Sequence, residues 1–500
     1  MHTSALYETY KTKMQKIADV KYASAVLQWD QETYLPTNGS EKRGCQIATL
    51  LEFAHEMFVS DEMGGLLQEL VAREGLTASQ KQNVLLSWQD FERSKKFSAA
   101  FVRNMSETVN KSFHAWVEAR KKNSFAIFSD RLQAVIDLKK QEADLIGYAA
   151  HPYDALMNDY DKGLTVAKTD DLFAGLMPTL NSLLQEIKGY PQVNDAFLFQ
   201  QFDKDKQWQV GIEILKEIGF DFESGRQDIS EHPFTTNFSS QDVRVTTRID
   251  ETNLSTMLWS CIHEGGHALY EQGLPASEYG LPLGEYCSLS IHESQSRLWE
   301  NCMGRGLPFW EKYYSLLVRS FPKQLADVSL ENFYKGINKV TPSLIRTEAD
   351  ELTYHFHVWI RYQIEKLLIE GTLTAREIPG VWNELYLKYL EIKVPDNKNG
   401  CLQDVHWSHG SFGYFATYTI GSLYAAQFYE TIEKQTHQSH LILSKTGTKP
   451  VLKWLKQHIF PFGRYYQSND LCAKATGSSL NSNYFLSYAT QKFKTVYETI

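Results

Sequence analysis

The chain has 500 residues, 43% hydrophobic and 22% charged, with 51 basic and 60 acidic side chains for a net charge of −9. This is the composition of an ordinary globular protein, and a mean hydropathy of −0.38 goes with no apolar run long enough to span a membrane. The charges are dispersed rather than blocked, which excludes a nucleic-acid or anionic-membrane surface as the main function.

The opening residues, MHTSALYETYKTKMQ, lack the apolar core of a secretion signal, so a cytoplasmic location is expected. Between Pro36 and Pro152 there is no proline, which predicts a run of long helices. Within it Phe97, Phe101, Met105, Val109, Phe113 and Trp116 recur at helical spacing and predict one buried stripe. The period changes to two in Asp242–Ile249, where Val243, Val245, Thr247 and Ile249 alternate with polar neighbours and predict a half-buried strand. Helical spacing resumes over Asn253–Gln272, and from Trp310 to Tyr389 with breaks expected at Pro322, Pro342 and Pro379. The segments 273–284 and 394–400 read as loops. No repeat or dividing linker is visible, so the expectation is a mainly α fold with a small β-sheet, and one catalytic domain over residues 1–500.

Inside the Asn253–Gln272 helix, residues 263–267 read His-Glu-Gly-Gly-His. Positions i and i+4 share a helix face, so both imidazoles can reach one metal ion with Glu264 beside it. With 15 histidines in the chain, about 0.03 accidental HExxH matches are expected. Two imidazoles, a third protein ligand and an open position for water form a zinc site of catalytic type. The metzincin continuation is absent, because Tyr270 and Gly273 stand where its glycine and third histidine belong. Ligand chemistry leaves Glu293, Glu271, Glu278, Glu285 and His292 as candidates for the third position. The six cysteines have no CxxC spacing and read as free thiols.

Further motifs stand in order around this one. They are His232-Pro233-Phe234, Asp242-Val243-Arg244-Val245-Thr246, His292-Glu293-Ser294-Gln295, Ile345–Asp350 as IRxxAD, and Gly400–Trp407 as GxxQDxHW. With them the chain resembles the carboxypeptidase Taq family of zinc metallocarboxypeptidases. The resemblance implies Glu293 as third ligand, Zn2+ with Co2+ as a substitute, and peptides with a free C-terminus as substrates. It also implies a helical fold with a long groove, a homodimer, and residues 1–150 or so as groove wall or lid.

The same resemblance gives roles to other residues. Arg346 is expected to clamp a terminal carboxylate, since a guanidinium offers paired donors; an ion pair with Glu348 or Asp350 is the plainer reading. His232, Gln403 and His406 are expected near the groove end. Asp404 is expected to orient His406 or Arg346 or to meet substrate, and Trp407 to lie in the core. The segment His409–Tyr418 is similar to the oxyanion-side turn of related helical oligopeptidases, with Ala416 where the family pattern has proline. There Tyr418 and His409 are the expected oxyanion donors, and Tyr414 either contacts substrate or packs beneath the loop.

Overall fold

The computed structural model describes residues 2–436 and 446–498. Helices α1 (Thr3–Thr33), α2 (Ser40–Phe58), α3 (Asp61–Val71), α4 (Ala78–Ser94), α5 (Ala99–Lys122) and α6 (Ala126–Ile146) open the chain. Next come α7 (Val166–Lys188), α8 (Lys204–Ile218), and strands β1 (Gly225–Ile229), β2 (Thr235–Ser239) and β3 (Asp242–Thr247). They are followed by α9 (Leu254–Gly273), α10 (Leu289–Arg297), a π-helical stretch Leu298–Gly304, and α11 (Leu307–Ser320). The remaining longer helices are α12 (Tyr354–Glu370), α13 (Ile378–Leu390), α14 (Phe415–Thr436), α15 (Lys449–His458) and α16 (Asn483–Tyr497). The mainly helical expectation and its small sheet both hold.

Two compact units divide the chain: Met1–Lys95 with Asn194–Ile337 and Tyr424–Leu480, and Lys96–Val193 with Asn338–Leu423 and Asn481–Ile500. In the first, Ser60 caps α3 by accepting from Met63 N, and Thr77 with Gln80 forms a capping box at the start of α4. Tyr7, Tyr10, Leu67, Leu70, Val84 and Phe91 make their shared core. Asn83 of α4, fully buried, donates to Glu278 (2.8 Å) and accepts from Leu283 N (2.9 Å). It thus anchors the loop between α9 and α10, which the sequence placed at 273–284.

The three strands run in the order β1-β3-β2, with β1 parallel and β2 antiparallel to β3. Val243, Val245 and Thr247 are buried as their alternation requires. Asn253 caps α9 by accepting from Ser255 N, one residue from the predicted start. The helix then passes very close to its neighbours at the two glycines of the histidine motif. A Cβ on Gly265 would lie 2.7 Å from Ile218 of α8, and one on Gly266 would lie 2.7 Å from the backbone of Gln295 and Ser296 in α10. Only glycine lets the two ligand-bearing helices approach this closely.

In the second unit, Tyr497 OH of α16 accepts from Val340 N (2.8 Å), and a buried Lys492–Glu351 ion pair (2.6 Å) holds α16 to the loop ahead of α12. One expectation needs correction here. The stripe on α5 is only partly buried: Trp116 is enclosed, while Phe101, Met105, Val109 and Phe113 keep some exposure. The break expected at Pro342 is present, since residues 338–353 lie outside any α-helix and hold only a short 3-10 helix at Arg346–Glu348. Asp350 there accepts from Thr341 N, Leu352 N and Thr353 N, which satisfies backbone donors outside a helix. Breaks also stand at Pro322 and Pro379, each of which opens a new helical segment after the preceding α-helix has ended, as suits a residue with fixed φ and no donor. Among the described residues no helix is long and apolar enough to cross a membrane.

Candidate active site

The i,i+4 spacing on α9 sets the His263 and His267 rings 5.0 Å apart, and α10 brings Glu293 towards both. Glu293 Oε2 lies 3.8 Å from Nε2 of His263 and 3.5 Å from Nε2 of His267. A tetrahedral zinc ion with bonds of ~2.0–2.1 Å holds its donors roughly 3.3–3.5 Å apart; the 3.5 Å separation matches this, the 3.8 Å one is a few tenths wider, and all three atoms lie within 4.8 Å of one another. Among the described residues, these three form the one group of histidine, cysteine or carboxylate side chains close enough to hold a metal.

The outward nitrogens fix the rings. His267 Nδ1 donates to the carbonyl of His292 (3.0 Å), which leaves the Nε2 lone pair free for a metal. Burial lowers the pKa of His267 to about 3, so the ring is neutral and ready to ligate. His263 Nδ1 meets Glu300 Oε2 at 2.8 Å, and Glu300 lies in the buried π-helical stretch. Burial pulls the His263 pKa down, yet the carboxylates of Glu293 and Glu300 outweigh it and raise the value. Burial opposes ionisation of Glu293 too, but Arg297 and His263 more than compensate and hold its carboxyl well below the usual range.

Glu264, next along α9, is 7% exposed. Its Oε2 accepts from the hydroxyl of Thr235 on β2 at 2.7 Å, and burial raises its pKa. A buried carboxyl of raised proton affinity, fixed in direction, is suited to move a proton. Behind the ligands, His292 stacks on His267 at 4.4 Å and bonds Glu271 (2.8 Å), which accepts from Asn237 (2.6 Å). His232 lies in the exposed turn between β1 and β2, where its carbonyl accepts from Ser230 (2.7 Å).

The second unit gathers most of the other candidates. Arg346, 6% exposed, gives Nε to Asp404 Oδ1 (3.0 Å) and Nη1 to Tyr354 OH (3.1 Å). Its acid partner is therefore Asp404, while Asp350 caps the neighbouring turn. Asp404 Oδ2 accepts from Arg361 (2.6 Å), and Gln403 Oε1 accepts from both Arg361 (2.8 Å) and the amide of Arg346 (2.9 Å). His406 Nε2 faces Tyr418 OH at 3.2 Å; burial and then Arg346 lower its pKa to about 3. Tyr418 also lies 5.0 Å from the Arg346 guanidinium, and Tyr414 packs among Tyr160, His406 and Tyr418. The His409 ring lies 5.0 Å from that of Phe113 of α5. Trp407 is enclosed, as expected of a core residue, and donates to Glu365 (2.8 Å).

The sequence model of the carboxypeptidase Taq (M32) metallopeptidases matches residues 9–493. The chain belongs to this family. Carboxypeptidase 1 of Bacillus subtilis is 36% identical over 486 residues, covering 97% of each chain. Thermostable carboxypeptidase 1 of Thermus thermophilus is 34% identical over 514 residues, covering 99% of this chain and 100% of its own. Among solved structures, the M32 carboxypeptidase from Deinococcus radiodurans R1 superposes with a TM-score of 0.97 at 36% identity, covering 99% of this chain and 100% of that one.

The protein is thus an M32 metallocarboxypeptidase, and an endo-acting oligopeptidase or a non-catalytic scaffold is not favoured. Four residues of this M32 chain escaped sequence reasoning. Arg297 stands at i+4 from Glu293 and was accessible to the same helix-face argument that joined the histidines. Thr235 acts across a strand-to-helix contact, while Arg361 and Tyr354 lie in a helix whose pattern shows only packing. For these three no local signal exists.

Proposed function

We propose that the chain is a zinc carboxypeptidase releasing single amino acids from peptide C-termini, with His263, His267 and Glu293 as metal ligands and Glu264 as the proton carrier. The observation carrying this reading is the convergence of two imidazole nitrogens and one carboxylate oxygen beside a buried, oriented carboxyl. When bound, zinc acts as a Lewis acid and makes water acidic enough to lose a proton near neutral pH. Glu264 accepts that proton, steered by Thr235, and returns it to the leaving amine.

Arg346 and Arg361 share one carboxylate, so the group carries an uncompensated positive charge suited to a substrate's terminal carboxylate. Gln403 fixes the backbone and side chains of this group, and His406, Tyr414 and His232 complete the substrate-binding set. Tyr418, with His409, is the donor to the developing oxyanion. The whole chain serves as one catalytic domain, with residues 1–150 or so as wall or lid, and Co2+ can replace zinc. The working form is a cytoplasmic homodimer, which light scattering of the purified protein tests.

A peptide digest read by mass spectrometry, with elemental analysis of the same sample, tests the main reading. A ladder losing one C-terminal residue at a time, and about one zinc per chain, is expected. Internal fragments, or protein without stoichiometric metal, would overturn it.

A further inference from the structure

Glu293 presents its two oxygens to different partners. Oε2 faces the two imidazole nitrogens and also accepts from Ser296 Oγ at 3.1 Å. Oε1 accepts from Arg297 Nε at 2.6 Å. Both side chains are nearly enclosed, at 7% and 12% exposure, so water screens this charge-assisted bond poorly.

The arginine is held in turn. One helical turn separates Glu293 from Arg297, which puts both on one face of α10. Arg297 Nη1 reaches Glu300 Oε2 at 3.4 Å, the oxygen that bonds His263 Nδ1. Arg305 closes the far side, with Nη2 3.1 Å from Glu300 Oε1 and its guanidinium 4.0 Å from the Trp259 ring. Arg297 is therefore braced by two carboxylates, and swinging it off Oε1 would expose a buried charge.

We propose that Arg297 is a positioning residue that restricts Glu293 to one-oxygen ligation, so that the metal keeps an open position for water and the scissile carbonyl. The inference rests on the metal-site reading above. A carboxylate free to use both oxygens would add a ligand that competes with water and the scissile carbonyl for the open side of the metal. The same guanidinium charge opposes a second cation nearby, so the arginine weakens metal binding while it preserves the vacancy.

That sign separates it from an ordinary orienting partner, whose removal typically costs ~10–100-fold in metal affinity. The test uses full-length wild type, Arg297→Met and Arg297→Lys, with Arg297→Gln in reserve should the methionine variant not fold. Three readouts are taken: competition against a chelator, the visible absorption of cobalt-loaded protein, and kcat separately from KM on one peptide. Arg297→Met is expected to hold metal at least as tightly as wild type. Its cobalt bands should weaken towards a higher coordination number, and its kcat should fall by about tenfold or more with KM little changed. Arg297→Lys keeps the charge without the planar fork and should fall between. A tenfold loss of affinity in Arg297→Met, or an unaltered cobalt spectrum, overturns the inference. Wild type without stoichiometric metal would instead overturn the metal-site reading itself.

Discussion

Around the two imidazoles of the first unit stand three carboxylates, Glu264, Glu293 and Glu300, against two guanidiniums, Arg297 and Arg305. In the second unit the guanidiniums of Arg346 and Arg361 stand against the one carboxylate of Asp404. By formal charge the first group is left one negative and the second one positive. Both are buried, where an unmatched charge is costly. Each imbalance therefore favours a ligand of the opposite sign, a metal cation in one case and a carboxylate in the other.

The largest expected effect breaks the first group at its chemistry. Glu264→Gln keeps the shape of the side chain but cannot accept a proton, so turnover should fall by ~10²–10⁴-fold while metal content stays at the wild-type level. Steady-state kinetics on metal-loaded protein decides this, and a variant with half the wild-type kcat would refute the role. Next, the carboxylates should rank by distance from the ion. Glu300→Ala, which removes the partner of His263, should cost ~10–100-fold in metal affinity. Glu293→Ala should cost more, and Glu285→Ala little, since Glu285 pairs instead with Arg464. Chelator competition on the three variants would give the order, and Glu285→Ala losing metal first would reassign the third ligand.

In the second unit the sharper probe is pH. Burial raises Glu365 to about 7, despite hydrogen bonds from Tyr153, Gly413 and Trp407. An acid with a raised pKa binds more protons folded than unfolded, so its contribution is complete below the unfolded pKa and declines as pH climbs towards 7. A shift from the ordinary carboxyl value of 4.5 corresponds to about 3 kcal/mol lost by pH 8. Urea unfolding from pH 5 to 8 should show this decline in wild type and a flatter profile in Glu365→Gln. An effect of similar size, read on specificity rather than stability, concerns Arg346. Against a free-acid peptide Arg346→Ala should lose roughly 10–150-fold in kcat/KM, and against the C-terminal amide almost nothing. Strictly additive losses in that double cycle would show that Arg346 does not read the carboxylate.

The two groups were unequally legible from sequence. Helix geometry alone joined His263 to His267 and placed Glu264 beside them, because four residues make one turn. Glu293 needed more: composition left five candidates, and family resemblance rather than spacing singled it out. The strand at Asp242 and the cap at Asn253 were readable because period and capping chemistry are local. By contrast Asp404, 58 positions from Arg346, was one expected partner only through the family resemblance, and Arg361 is drawn from a helix whose pattern signals only a core. The break within residues 338–353 was legible from Pro342, whereas the backbone amides that Asp350 gathers there were not.

Gly266 bears on how this protein tolerates change. Between α9 and α10 the backbone of Gln295 and Ser296 already occupies the space that a methyl group at 266 would need. An alanine there would leave every chemically active group intact and still force the two helices apart, carrying Glu293 away from the histidines. The HExxH pattern treats its two central positions as free, but in this chain the second has no permitted replacement without moving a helix. Mutational scanning should therefore find a deeply intolerant position with no side chain to explain it, and a redesign of the metal site would have to begin from that missing atom.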